Sequence, residues 1–255
     1  MGAMFAASLY WQEMDDNQAL ILSLYDLLGE GSRLPKDKGE IALVVDEYNR
    51  IDRAFFEKIG LLSPSENYKL TDFVGRTIMK VVPNNSYYTQ TADGLYRPAS
   101  VSEYGALYDN GDGIELTITA ILRPKATSTA SSSYLSTGVV FTTALTDYIV
   151  NDAANSEIAL AQVNSDRDVL LNTPFSRDSD RTARLQQLGA DSTPTGIRIY
   201  PANFAGKASI TTYLDAYNLG RPAAEQVVYT DMAQMIESMF VTLLNTVTYV
   251  LIAFA

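Results

Sequence analysis

The sequence predicts an α+β fold of strand–helix units with a β-rich stretch inserted between them. Three observations predict it. Residues 41–45 (IALVV) and 138–141 (GVVF) are short continuous apolar runs, each followed by a helical pattern. Residues 114–122 (IELTITAIL) alternate at period two, and Ile210, Tyr213, Leu214 and Tyr217 fall on one helical face. Continuous apolar runs of this length suit buried strands, alternation suits a half-buried strand, and a 3.6-residue period suits a helix lying on a core.

In chain order, the turn-rich residues 29–35 (GEGSRLP) lead into the strand at 41–45. Asp52 is placed to cap a helix whose apolar side is Phe55, Phe56 and Ile59, and Gly60 suits the left-handed residue past its end. Residues 73–82, broken by Gly75, read as a strand, and residues 87–96 read as a hairpin around Asp93-Gly94. Residues 109–113 (DNGDG) form a turn before the alternating strand, which Pro124 ends. Residues 126–133 (ATSTASSS) are a loop or hinge by composition. The run at 138–141 passes into a helix from about Thr143 that carries Leu145, Tyr148 and Ile149, and Arg181 to Leu188 make a short helix closed by Gly189. A strand at 196–200, the helix ending near Tyr217, the stop at Gly220 and Pro222, and a strand at 226–229 together read as a βαβ crossover. The expected organisation is a discontinuous α+β lobe from 1–65 and 125–237, a β-rich lobe at 66–124, and an apolar segment at 238–255.

Composition bounds the chemistry. The 255 residues are 47% hydrophobic and 19% charged, an ordinary globular balance. They include no His and no Cys, which removes Ser-His-Asp and Cys-His nucleophile systems, the usual zinc sites, haem and iron–sulfur ligation, and any disulfide. Chemistry would have to run on carboxylates, Lys, Tyr, Ser or Thr. The net charge of −11 repels phosphate backbones, so nucleic acid is not an expected partner.

Local motifs each carry a plain structural reading beside the functional one. Gly206-Lys207 matches the end of a phosphate loop, but Pro201 stands where its first glycine belongs and Ala208 where its Mg²⁺-binding hydroxyl belongs, leaving an exposed helix start. The stretch from Asp109 to Glu115 has calcium-loop character, yet Gly111 and Gly113 occupy positions that need side-chain oxygens, which favours a tight hairpin. The carboxylate pairs Asp15/Asp16, Asp166/Asp168 and Asp178/Asp180 have the residue type a glycosidase uses, but their polar surroundings give no reason for a raised carboxyl pKa, so solvated faces or helix caps are the default reading. Tyr87, Tyr88, Tyr96, Tyr104 and Tyr108 crowd the β-rich part; rigid rings make binding surfaces, and strand propensity also explains them. Asn84-Asn85-Ser86 is a formal glycosylation sequon.

The C-terminus is the most informative stretch. From Met232 the residues Met235, Ile236, Met239, Phe240, Leu243, Leu244, Val247 and Leu251 make an amphipathic stripe opposite Gln234, Glu237, Ser238, Thr242 and Asn245. No charge follows Glu237, and residues 250–255 (VLIAFA) are apolar on every side. This uncharged run meets the lower edge of the roughly 17–25 residues that cross a bilayer, so it reads either as the start of a membrane helix or as a buried core helix. Residues 4–11 (MFAASLYW) are a weaker apolar and aromatic counterpart at the other end.

Taken together, residues 14–28 (MDDNQALILSLYDLL), 34–51 (LPKDKGEIALVVDEYNRI), 138–150 (GVVFTTALTDYIV), 196–218 (GIRIYPANFAGKASITTYLDAYN) and 227–255 resemble the extracytoplasmic domain of MacB-type, FtsX-like ABC transporter permeases of Gram-positive bacteria. The order of these segments and the closing apolar helix carry the resemblance, which is weakest over 63–108. It implies a porter-like lobe built from both ends of the domain, an inserted β-rich lobe, and 238–255 as the start of the second membrane helix. It implies a domain on the extracellular side of the cell membrane, in a permease that dimerises and works with a separate cytoplasmic ATP-binding subunit. Partners would be an adapter or membrane-fusion protein, or an exported peptide or drug. The family places no catalytic, cofactor or metal-binding residue in this domain. Two other readings stand beside it: a free-standing secreted or surface module that binds a ligand through the Tyr-rich lobe, and a carboxylate-dependent cell-wall hydrolase.

Overall fold

Residues 41–45 are wholly withdrawn from water, and the rest of the sheet is arranged around them. The computed structural model describes residues 10–58, 69–126, 134–193 and 203–231, with 197, 199, 201 and 234. Its strands are β1 (Trp11–Glu13), β2 (Tyr25–Leu28), β3 (Glu40–Val44), β4 (Thr77–Val81), β5 (Tyr88–Gln90), β6 (Tyr96–Pro98), β7 (Ile114–Pro124) and β8 (Gly138–Phe141). Its described helices are α1 (Gln18–Leu24), α2 (Arg53–Lys58), α3 (Asn84–Tyr87), α4 (Tyr104–Asp109), α5 (Thr143–Ala154), α6 (Glu157–Val163), α7 (Asp178–Leu188) and α8 (Phe204–Asn218). The α+β class expected from the sequence is what forms. The chain divides into two units, Met1–Thr193 and Pro194–Ala255.

Six strands make one mixed sheet in the order β1-β8-β3-β7-β2, with β4 also paired to β7. β1 runs parallel to β8 and β3 parallel to β7, while β8 and β3 are antiparallel. β2 and β4 both run antiparallel to β7, β2 along residues 121–124 and β4 along 114–117, so they share one edge of that long strand. Within the stretch 66–124, β4 and β7 therefore belong to the central sheet, and β5 with β6 forms a separate antiparallel pair.

Both faces of the sheet are covered, which is why β3 has no polar alternate. Ile41, Leu43 and the next residue, Val45, pack with Phe55 of α2, Leu145 of α5, Phe73 and Val139 on one face. Ala42 and Val44 pack on the other with Ile21 of α1, Met14, Tyr25, Leu34 and Val140. Each buried aliphatic side chain of this kind contributes about 1.5–3 kcal/mol. β7 changes faces part-way: Leu116 and Ile118 lie in the first core, but Ala120 and Leu122 lie in the second. The cause is a bulge at Thr119, where the pairing with β3 steps from Ile41–Ile118 to Ala42–Ala120. The skipped residue is not idle: its carbonyl accepts from the Arg33 amide at 2.9 Å and its hydroxyl donates to the Ile41 carbonyl at 3.4 Å.

Two sequence expectations need correction. The strand expected from residue 73 begins only at Thr77, because Leu70–Phe73 form a 3₁₀ turn and Gly75 takes φ +84° to donate its amide to Ile118 at 2.7 Å. The strand expected at 226–229 does not form, so the described residues hold no completed crossover around α8. There the Asn218 side chain supplies the ladder: its amide donates to the Val227 carbonyl at 2.9 Å and its oxygen accepts from the Val227 amide at 2.7 Å. That closes the Gly220 turn locally and leaves Val228 92% exposed. Among the described residues no helix is long and apolar enough to cross a membrane. The expected membrane segment at 238–255, the loop at 127–133, Gly60 and most of the 196–200 strand lie outside the described residues.

Candidate functional site

Parallel neighbours put two strand ends and two helix starts on one side of the sheet. β1 ends at Glu13 and turns through Met14, Asp15 and Asp16 into α1; β8 ends at Phe141 and enters α5 through Thr142. Because β3 runs against β8, the approach to β3 closes a third side, where the Thr142 hydroxyl donates to the Asp37 carbonyl at 3.2 Å. Between these walls lies a solvent-open cleft of about 610 Å³, lined by Met14, Asp16, Gln18, Lys36, Thr143 and Asp147 among others. Open sheets commonly present ligand sites at such carboxyl ends.

Local chemistry fixes each wall. Asp15 accepts from the Asn17 amide at 2.7 Å, and Asn17 in turn caps α1 by accepting from Leu20 at 3.1 Å. Thr142 caps α5 by accepting from the Leu145 amide at 3.2 Å. Glu13 accepts from the Thr143 hydroxyl at 3.2 Å and from the Thr146 hydroxyl, so β1 is tied to the first turn of α5. Glu40 accepts from the Lys36 amide at 2.9 Å and from the Arg33 guanidinium, which holds its carboxyl well below the ordinary range, at about 2. The cleft therefore offers Asp16, Asp147 and Lys36 between walls tied by the threonine hydroxyls, a set able to hydrogen-bond a polar ligand.

The acid pairs singled out in the sequence are separated in role. Asp15 shapes the turn and Asp16 faces the cleft. Asp166 is exposed, whereas Asp168 is buried and fully engaged. It accepts from the Leu170 amide at 2.8 Å and the Leu171 amide at 3.2 Å, and pairs with Arg184 at 2.7 Å. Asp178 and Asp180 stand in the first turn of α7, where acids complement the helix dipole, and Asp180 pairs with Arg177 at 3.0 Å.

The other motifs resolve similarly. Gly206-Lys207 sits in the first turn of α8, capped by Asn203 accepting from Gly206 at 2.8 Å, and Lys207 pairs with Asp231 at 2.9 Å. Residues 110–113 make a tight turn in which a side chain on Gly113 would meet the Val81 carbonyl at 2.1 Å. Among the described residues no group of three His, Cys, Asp or Glu could hold a metal ion. The sequon asparagine is occupied: Asn84 donates to the Leu188 carbonyl at 3.0 Å and to Ser156 at 3.2 Å, and Asn85 accepts from the Glu157 amide at 2.8 Å.

The tyrosines divide between core and surface. Tyr96 is buried with Ile158, Val169 and Leu188, while Tyr104 and Tyr108 are 46% and 45% exposed on α4. Tyr87 links the two sets, meeting Tyr88 edge-on at 4.9 Å and Tyr104 at 6.5 Å between ring centres. A hydrogen bond with Tyr104, with partial burial, pushes the Tyr87 phenol up to about 12. The cleft residues Lys36, Thr142 and Asp147 were not singled out in the sequence. Their signal was available in Thr142-Thr143 directly after a buried apolar run, the mark of a capped strand-to-helix junction. Comparison with family models, with curated proteins and with solved structures finds no match to this chain.

Proposed function

We propose that this chain is the extracytoplasmic domain of an ABC transporter permease of the MacB-type, FtsX-like kind, which passes movement between membrane helices and a partner outside the cell. The observation that carries this reading is the uncharged run 238–255 following the amphipathic stripe from Met232, in a chain where 19% of residues are charged. The order of the resembling segments supports it. A helix of this kind is a rod with a rise of about 1.5 Å per residue, so tilting its lipid end displaces the folded end. ATP hydrolysis would then belong to a separate cytoplasmic subunit, the permease would act as a dimer, and the folded domain would engage an adapter, an envelope protein or an exported peptide or drug.

The test is fractionation of the parent polypeptide from its native cells. It should stay with membranes through an alkaline wash, and protease added to intact cells should remove the folded domain. Recovery entirely in the soluble fraction would overturn the reading. The exposed Tyr104 and Tyr108 favour a second reading under that outcome, a free-standing surface module that binds a ligand through the tyrosine-rich part.

A further inference from the structure

The elements around the separate hairpin carry an unusual surface. Val101, Tyr104 and Tyr108 recur at i, i+3 and i+7 across the 3₁₀ turn Val101–Glu103 and α4, and they are 79%, 46% and 45% exposed. Tyr87 extends the same apolar strip from the neighbouring helix α3. Contiguous exposed apolar side chains, rather than single scattered ones, mark interaction surfaces.

The charge around this strip is one-sided. Residues 84–115 contain Asp93, Glu103, Asp109, Asp112 and Glu115 against a single base, Arg97. Arg97 is already committed, donating to both oxygens of Glu103 at 2.9 and 2.8 Å. Lys80 donates to the Tyr108 carbonyl at 2.9 Å, the Leu107 carbonyl at 3.5 Å and the Asn110 side-chain oxygen at 3.4 Å, at the end of α4. The Arg97 charge is balanced by Glu103, and Lys80, held by neutral oxygens, is outnumbered by Asp109 and Asp112, both exposed at and just after the end of α4. Ring faces attract cations through their quadrupole, and carboxylates at the rim reinforce that preference. An anionic lipid surface or a nucleic acid would meet repulsion here.

We propose that the Val101–Tyr104–Tyr108 face is a docking surface for a cationic peptide segment, with its lysine or arginine groups over the tyrosine rings and against Asp109, and its apolar residues on Val101. Tyr104 and Tyr108 would supply rigid contact area at small entropic cost, and the acids would supply orientation and on-rate. The assignment stands on this surface alone and does not need the membrane reading.

The experiment titrates the full chain with an amphipathic lysine–leucine peptide by calorimetry at low and physiological salt, with a glutamine–leucine peptide of the same pattern and anionic phospholipid vesicles as the other arms. The lysine peptide should bind, with affinity falling as salt rises, and the glutamine peptide and vesicles should not. The double variant Tyr104→Ala/Tyr108→Ala should weaken binding about tenfold. Because Tyr104 touches Tyr87, the exposed-site variants Asp109→Lys and Val101→Ser serve as independent checks and should each weaken it by about threefold or more with an unchanged melting temperature. Asp16→Asn, in the cleft, should leave binding as it was. Equal binding of the glutamine peptide, preferential binding of vesicles, no binding of the lysine peptide, or loss of binding in Asp16→Asn but not in Asp109→Lys would overturn the proposal.

Discussion

The central sheet and the hairpin-and-helix region around α6 and α7 are held together by different means. In the sheet, two large apolar cores sandwich β3 and β7, and the side chains are aliphatic almost throughout. Around α6 and α7 the apolar cluster shrinks to Tyr96, Ile158, Val169 and Leu188, and buried polar groups take over. Gln162 is wholly buried, donating to the Arg167 carbonyl at 2.9 Å and accepting from the Val169 amide at 3.1 Å. Asp168 is buried on its pair with Arg184, and Asn84 and Asn85 staple α3 to the helices. Apolar packing is non-directional and tolerates a change of shape at constant volume, whereas a buried polar staple fails when any one partner is removed.

The largest expected effect tests the sheet. Leu43→Ala should cost about 3–4 kcal/mol in urea unfolding, while Leu43→Met should cost less than about 1.5 kcal/mol. An equal cost for both would show that the sheet core depends on specific shape, and the contrast would break. Next comes Arg184→Met, which removes a charge of similar reach and leaves the Asp168 carboxylate buried without its cation. It should cost about 3 kcal/mol, felt locally. Hydrogen exchange is the discriminating measurement: the Leu170 and Leu171 amides, which bond Asp168, should lose protection while β3 and β7 keep theirs. Uniform loss across both regions would mean that the two are one cooperative whole.

The same division decides what could be read from the sequence. The runs 41–45 and 138–141 announce β3 and β8 because strands buried on both faces show as unbroken apolar residues. Gly189 at φ +77° closes α7 as its position suggested, and Asp93-Gly94 turns the β5–β6 hairpin. β7 was legible as a strand but not its bulge, although the alternation of residues 114–118 giving way to three successive apolar residues at 120–122 marks the place. The polar staples were illegible. Gln162, Asn84 and Arg184 find their partners across long or irregular connections, and nothing in a local window distinguishes a buried Gln on a helix from an exposed one. The cleft was hidden for a related reason, since it arises from strand order, and β1 lies beside β8 only after the chain has traversed the sheet. Residues 226–229 misled because their apolar, β-branched composition suits a strand, while Asn218 supplies the hydrogen bonds that a neighbouring strand would.

A smaller effect sharpens the comparison at the staple itself. Asn84→Ala removes two side-chain hydrogen bonds that α3 makes to α6 and α7 and leaves the Leu188 carbonyl without that donor, at a cost of about 1–2 kcal/mol. Asn84→Asp keeps the shape but replaces a donor by an acceptor facing a carbonyl, so it should be at least as costly as the alanine. Thermal unfolding of the two variants decides it, and a neutral Asn84→Asp would mean that this contact carries no directional demand.

The smallest effect asks whether the sheet has a polar staple of its own. Glu40 opens β3 and gathers the β2–β3 connection by accepting from the Lys36 amide and the Arg33 guanidinium, which also shapes the Lys36 side of the cleft. Its carboxyl is held at about 2 in the fold against an ordinary 4.5. A depressed folded value means that the contribution is fully present above pH 4.5, declines as the pH falls below that, and is gone once the pH passes below about 2. Arg33 is half exposed, so solvent screens the pair and the contribution is about 1 kcal/mol rather than the full equivalent of the shift. Denaturation midpoints followed through that acid window should therefore fall more steeply for the natural chain than for Glu40→Gln, and the two curves should converge at the acid end. If they instead run parallel, Glu40 acts only through its shape, and the sheet is stabilised by apolar burial alone.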